Sequence, residues 1–435
     1  MPLPTEPASR HSPPAGRVRV AGWTRRTPMA DWNGASRPLE ASPVSADRTA
    51  RTAAAATFAV FGLNGLVFAS WAARIPAAAT ALDITAGEIG LLLLALGLGS
   101  VLSLPLAGPI AARIGTANTV RAGGVVAAIA ASGLALALFA GSAPGAAAAL
   151  FCYGIGVAWW DVAQNIEGAD VERRLLRTIM PQFHAAFSLG AFAGAMIGAW
   201  LSVLNVQLAV HLLCLAVIVT VVLLVVPKYF LPHAPERLND GESRRSRFAP
   251  WREPRTVLIG VVVLGAALTE GAANDWIAQA TVAGLDATEA TGAVMFGIFV
   301  AAMTLLRLVG GRFIDRWGRV AVLRTSMAVA LAGLLVFVFA PSVPLAVAGA
   351  VLWGAGAALG FPMGMSAAAD DRALAAERVS VVSTLGYVAF LAGPPFLGFL
   401  GEHVGIRNAL LAVAVLMVAS LLTAPAAREQ QPVRG

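Results

Sequence analysis

Glu270, Asn274 and Asp275 fall inside an apolar run that extends from residue 256 to residue 280. An ionisable side chain in hydrocarbon costs several kcal/mol unless it faces a cavity or a partner, so such groups point to function. A carboxyl placed there can take up and release a proton, which makes Glu270 and Asp275 candidate proton-coupling residues and Asn274 a candidate substrate ligand. With a helix entering near Thr256, Glu270 lies about 21 Å deep, past the midplane, and Asn274 one turn beyond on the same face. The plainer reading of Glu270 is a structural acid hydrogen-bonded to a neighbouring helix.

Two further runs carry polar groups. In the run 145–168, Asp161, Gln164 and Asn165 are three and four residues apart, so they share one helix face that can hydrogen-bond a hydroxylated solute. Trp159 and Trp160 beside them can stack on a ring or pack against lipid. Glu167, Asp170 and Glu172 lie close to Arg173, Arg174 and Arg177, which reads as an interfacial salt-bridge network. The run 53–73 offers Asn64 near mid-depth and Trp71 toward its outer end as substrate contacts. Arg74 follows at the outer mouth, where it can draw an anionic group, pair with an acid or act as an interfacial anchor. Arg307 is expected to brace the charged segment after it. His184 has the ordinary pKa of a proton relay, although packing or capping suits a histidine at headgroup level better, and it makes no metal-ligand spacing with His211, His233 or His403.

These groups need a scaffold that crosses a bilayer. The 435 residues are 58% hydrophobic and 13% charged, with a mean hydropathy of +0.75, whereas a soluble globule carries about 25% charged residues. Twelve apolar segments follow residue 53, each about 20 residues long and able to span the ~30 Å hydrocarbon layer as a helix. They are 53–73, 87–107, 119–141, 145–168, 183–204, 207–227, 256–280, 290–310, 320–340, 344–368, 379–400 and 405–424. The fold class is therefore an all-α polytopic membrane protein. Gly190, Gly194 and Gly198 form a smooth stripe for close helix packing, and Pro394 and Pro395 are expected to kink the eleventh span.

Every Lys and Arg except Arg74, Arg307 and Arg407 falls in the tails, in alternate connections or, as for Arg121 and Arg324, within the first turns of the span that follows one. That bias places both termini in the cytoplasm. It also explains the net charge of +7 through anionic headgroups, leaving no case for nucleic acid. Residues 1–52 read as a disordered basic tail, 53–227 as one six-helix bundle, 228–255 as a cytoplasmic linker, 256–424 as a second bundle and 425–435 as a short cytoplasmic tail. Cys152 and Cys214 both lie in apolar segments, so no disulfide framework, metal or cofactor is implied. No phosphate-binding Gly-Lys-Ser/Thr loop or Ser/His/Asp set supports ATP-driven transport or hydrolysis. The chain is expected to be a monomer and not an enzyme.

Between the eighth and ninth runs lies Gly311-Arg312-Phe313-Ile314-Asp315-Arg316-Trp317-Gly318-Arg319. It reads as a short loop at a membrane face whose glycines permit tight turning and close approach. Asp315 among Arg312, Arg316 and Arg319 can be the one anion of a basic cluster. Gly108, Arg113 and Gly115 belong to a weaker upstream copy that aligns with Gly311–Gly318 at a constant offset, and Arg121 meets Arg324 at the same offset. Ala112 stands where the acid is expected. Gly154-Ile155-Gly156 with Ala169-Asp170 repeats as Gly354-Ala355-Gly356 with Ala369-Asp370, and two related halves suit a midplane binding site.

The pattern Gly-x-x-x-Asp-Arg-x-Gly-Arg between two membrane helices resembles the loop motif of the major facilitator superfamily. The resemblance implies two pseudo-symmetric six-helix bundles that rock about a central cavity formed by spans 1, 4, 7 and 10. In that scheme the Asp315 loop latches one access state. The runs WAARIP (71–76), WDVAQNIEGADVER (160–173) and MPQFHAAFSLG (180–190) resemble the MosC/YbjJ-like branch. This implies a transporter of the bacterial plasma membrane that carries a cyclitol- or sugar-like solute, with proton coupling through Glu270. A solute-binding receptor that does not transport, or a drug or metabolite exporter, stays open beside it. The Gly-Pro pattern of drug–proton antiporters is missing from the fifth span.

Overall fold

In hydrocarbon every backbone group must find its partner within the protein, so an apolar chain crosses as helices. The computed structural model describes residues 43–177, 179–232, 249–371 and 374–429, and twelve of its helices are long and apolar enough to span a membrane. Residues 1–42 of the expected tail, 233–248 of the expected linker and 430–435 of the closing tail lie outside the described residues.

The first half comprises α1 (Pro43–Ala72), a short α2 (Ile75–Leu82), α3 (Ala86–Ile114), α4 (Thr116–Phe139), α5 (Ala143–Leu175), α6 (Met180–Val203) and α7 (Leu208–Val225). The second comprises α8 (Pro254–Leu285), α9 (Glu289–Trp317), α10 (Arg319–Phe339), α11 (Val343–Ala357), α12 (Gly360–Ala368), α13 (Ala375–Val404), α14 (Ile406–Ala409) and α15 (Leu411–Thr423). Helix α1 starts ten residues before the expected span, so residues 43–52 are helical rather than tail. The tenth span is broken into α11 and α12, while α13 continues as one helix through Pro394 and Pro395. Twelve crossings return the chain to its starting side, the terminal face; the opposite side is the distal face.

The expected charged loop is mostly helix. Helix α9 continues to Trp317, and Gly318 alone, at φ 79°, turns the chain into α10; Gly115, at φ 84°, does the same between α3 and α4. Both glycines hold a backbone conformation that side chains resist. Gly108 and Gly311 have nothing within 4 Å of where a Cβ would stand, so the close approach expected at them is not made.

Asp315 also departs from expectation. Among the described residues it has no ion pair, and Arg319 instead donates to Asp370 at 3.0 and 3.1 Å. Arg255 joins the same carboxylate at 2.9 Å. Arg316 lies over the Trp317 ring. In the first half the acid on the equivalent helix is Glu167, 1% exposed, which accepts from Thr116 at 2.6 Å and from the Leu231 backbone at 2.7 Å. It therefore ties the start of α4 to Leu231 and, among the described residues, forms no ion pair with the arginines of the expected interfacial network. Asp170 does pair with Arg173, and Glu172 caps the start of α6 by accepting from the Ile179 and Met180 backbones, each at 2.7 Å. Just ahead of α8, the Arg378 guanidinium hydrogen-bonded to Glu253 at 2.7 Å holds that carboxyl below its ordinary range. This tie is complete above the ordinary glutamate pKa and is lost as pH falls through the depressed value.

We expect Asp370→Asn to lower stability by about 2 kcal/mol, because two guanidinium groups lose one shared carboxylate. Asp315→Asn should change stability by less than about 0.5 kcal/mol. Unfolding of the purified variants separates the two, and equal losses would restore Asp315 as the latch.

The two distal arginines gather helix ends. Arg407 donates to the carbonyls of Gly284, Phe337 and Ala340, which closes the ends of α8 and α10 onto α14. The halves meet α6 against α9 and α3 against α13, and their contacts gather toward the distal face. There Glu402 of α13 accepts from the Thr85 hydroxyl and from the Gly87 backbone at 3.2 Å. Arg74 faces Glu289 at 3.5 Å, and Ser202 donates to Glu289 at 2.9 Å.

Candidate transport site

Two polar clusters stand at mid-depth, one in each half. In the first, Asp161 of α5 accepts from Gln164 at 2.9 Å, and Asn64 of α1 lies 3.5 Å from the same carboxylate oxygen. Asn64 is 3% exposed and Gln164 is fully buried, yet Asp161 between them is exposed. Lipid does not tolerate an unmatched acid in the middle of a span, so the exposed side of Asp161 is read as facing away from lipid. Asn165 turns back to donate to its own helix at the Asp161 carbonyl, 2.8 Å away, while Gln164 keeps a buried carbonyl oxygen with no partner among the described residues.

In the second half Glu270 sits halfway along α8, about 24 Å from either end. Arg307 of α9 donates to it at 2.6 Å and gives its Nε to the Ala358 carbonyl at 2.9 Å. Ala358 lies in the break between α11 and α12, where the helix leaves a carbonyl free; an interrupted membrane helix is tolerated when another group takes up that carbonyl. Arg307 thus joins α8, α9 and the broken span. It does not brace the Gly311 segment, as the sequence suggested. Asn274 and Asp275 are half-buried on the same helix as Glu270, and neither has a hydrogen bond among the described residues.

Trp71 does not join the site. It is buried against an apolar cavity with Ala127, Leu134, Tyr153 and Leu215 inside the first half. Trp160 is sealed in the same half, and Trp159 packs beside Gly123 of α4. His184 is exposed, stands edge-on to Phe61 and lies within electrostatic reach of Arg307. Tyr387 of α13 escaped the sequence reading. It is exposed and lies within electrostatic reach of Asp161 in the other half. The missed signal is a polar stripe, Ser380, Thr384 and Tyr387, spaced four and three apart and exposed throughout. Asp161 and Tyr387 thus approach one another from opposite halves, as do His184 and Arg307.

The sequence profile of the Major Facilitator Superfamily matches residues 5–167 and 259–434. The chain belongs to this superfamily. It is 32% identical over 378 residues to the uncharacterized transporter y4wD of Sinorhizobium fredii, covering 85% of this chain and 96% of that one. It is 28% identical over 376 residues to the membrane protein MosC of Rhizobium meliloti, covering 86% and 90%. Among solved structures, the nucleoside transporter NupG matches with a TM-score of 0.66 at 17% identity, covering 87% of this chain and 99% of that one. As a superfamily member, the chain is a multi-pass membrane protein of the secondary solute transporter class, and its two pseudo-symmetric six-helix halves are those of the superfamily fold.

Proposed function

We propose that the chain moves a small hydroxylated solute, sugar- or cyclitol-like, across the bacterial inner membrane by alternating access, with both termini in the cytoplasm. The observation that carries this reading is the open Asp161 carboxylate at mid-membrane, facing the second half across a cleft that is closed distally. Asn64, Asp161 and Gln164 offer amide and carboxylate partners to hydroxyl groups, and Asn274 and Tyr387 extend the polar wall from the second half. The conformation supports the inward-facing state of the cycle, and the distal contacts of Glu289 and Glu402 are those that must break in the other state.

Proton coupling fits Asp275 better than Glu270. A proton on Glu270 would leave Arg307 unmatched, whereas Asp275 has no described partner to lose. The distribution of Arg and Lys supports the orientation.

In proteoliposomes, labelled inositol, hexoses and nucleosides are offered with and without a pH gradient; nucleosides enter because NupG is a nucleoside transporter. Asp161→Asn is expected to cut flux at least tenfold with the fold retained. Asp275→Asn should keep solute exchange and lose gradient-driven accumulation. If both Asp275→Asn and Glu270→Gln respond to the gradient as the unaltered protein does, neither carries the proton. Binding without flux would instead make the chain a receptor.

A further inference from the structure

The distal face carries a second cavity, about 680 Å³ in volume, lined by both halves. Arg74 is in its wall, at the turn between α1 and α2, and is 4% exposed. It stands ten residues beyond Asn64, about 15 Å along the helix axis, so this cavity is separate from the central cleft.

The bonding of Arg74 is incomplete. A guanidinium presents five N–H donors in a fixed fork and suits an oxyanion gripped by two of them. Here Nη1 donates to the Val206 carbonyl at 2.9 Å, Nη2 stands 3.5 Å from Glu289, and the buried Nε has no acceptor. Charge-assisted contacts close to about 2.7–2.9 Å when they are well made, so Glu289 is a loose partner. It also serves Ser202 at 2.9 Å with the same oxygen. Nearby His211, 5% exposed, leaves its Nδ1 without a partner and lies within electrostatic reach of Arg74. Thr80, Asn205, Gln207 and Thr288 give the mouth of the cavity a polar rim.

We propose that this cavity binds an anionic group, a carboxylate or an inorganic oxyanion, on Arg74, and that the bound anion displaces Glu289 and loosens the distal closure of the halves. Glu289 belongs to the second half and Arg74 to the first, so whatever takes Arg74 removes a tie between them. The binding step stands on the cavity alone; the loosening rests on the alternating-access reading.

The test measures binding of inorganic phosphate and of D-gluconate to the full chain in detergent, by calorimetry, against chloride at equal ionic strength. Arg74→Gln should weaken binding at least tenfold. Glu289→Gln should tighten it severalfold, because the competing carboxylate is gone; general damage to the distal face would weaken both. No binding of either anion to the unaltered protein, or weakening by Glu289→Gln, overturns the site. Loosening is read from spin labels at Ala140→Cys and Ala283→Cys, both exposed distal positions, with Cys152 and Cys214 changed to alanine. Saturating anion should lengthen that distance. Binding with an unchanged distance overturns the gating step and leaves both the anion site and the transport reading standing.

Discussion

Arg307→Met is expected to cost about 3 kcal/mol of stability and to stop solute flux, while the double variant Arg307→Met/Glu270→Leu recovers part of the stability and none of the flux. The single change leaves Glu270 charged and alone halfway through α8, and removing one member of a half-buried pair inside a membrane span costs more than the pair itself contributes. It also strips the Ala358 carbonyl at the α11/α12 break of its donor at 2.9 Å, and an unsatisfied buried acceptor adds about 1–3 kcal/mol. The double variant removes the stranded charge but not the bare carbonyl, so recovery is incomplete. A double-mutant cycle on the purified protein isolates the pair term. Additive losses would mean that Arg307 acts through the broken helix alone and that Glu270 is a bystander.

The sequence suggests one side of this pair, Glu270 as an acid hydrogen-bonded to a neighbouring helix, but not Arg307 as its donor. Hydropathy made the twelve crossings plain, because each must be apolar for about 20 residues. Their ends were hidden, since helices such as α5 and α9 run beyond the hydrocarbon into charged turns. Asp315 and Arg319 are four apart, a spacing that pairs side chains on one continuous helix. Gly318 between them turns the chain, so Arg319 faces α12 and finds Asp370. Asn64 and Trp71 are seven apart and share a face of α1, yet about 10 Å further along the axis that face looks into first-half core. Spacing settles which residues look the same way; it does not settle what lies opposite at each depth. The mid-membrane acids and amides were legible because lipid tolerates them only with a reason. Arg307 was equally anomalous, but its partners sit on α8 and at a helix break that Gly354-Ala355-Gly356 does not announce.

Gly190→Leu is expected to prevent the first half from packing, and even Gly190→Ala should cost about 3 kcal/mol. Helices α1 and α6 touch backbone to backbone: a Cβ at Gly190 would collide with the Gly62 carbonyl, and one at Gly65 would collide with the Phe187 carbonyl. Neither obstacle is the free end of a side chain, so relief requires one helix to move away from the other, and overpacking of this kind costs about 1–3 kcal/mol or more. Membrane helices have little hydrophobic drive to hold them together, so close contact along small residues supplies much of their association. Separating α1 from α6 would also shift Asn64 away from Asp161, which lies 3.5 Å from it across the first half. Gly311→Ala is the matching control. Nothing lies within 4 Å of that position, and replacing a helical glycine with alanine is worth about 0.5–1 kcal/mol in the stabilising direction. Thermal unfolding in detergent should therefore move in opposite directions for the two alanine variants. A stable, transport-competent Gly190→Ala protein would mean that α1 and α6 can separate without disturbing the Asn64–Asp161 cluster, and the glycine stripe would lose its role in positioning the site.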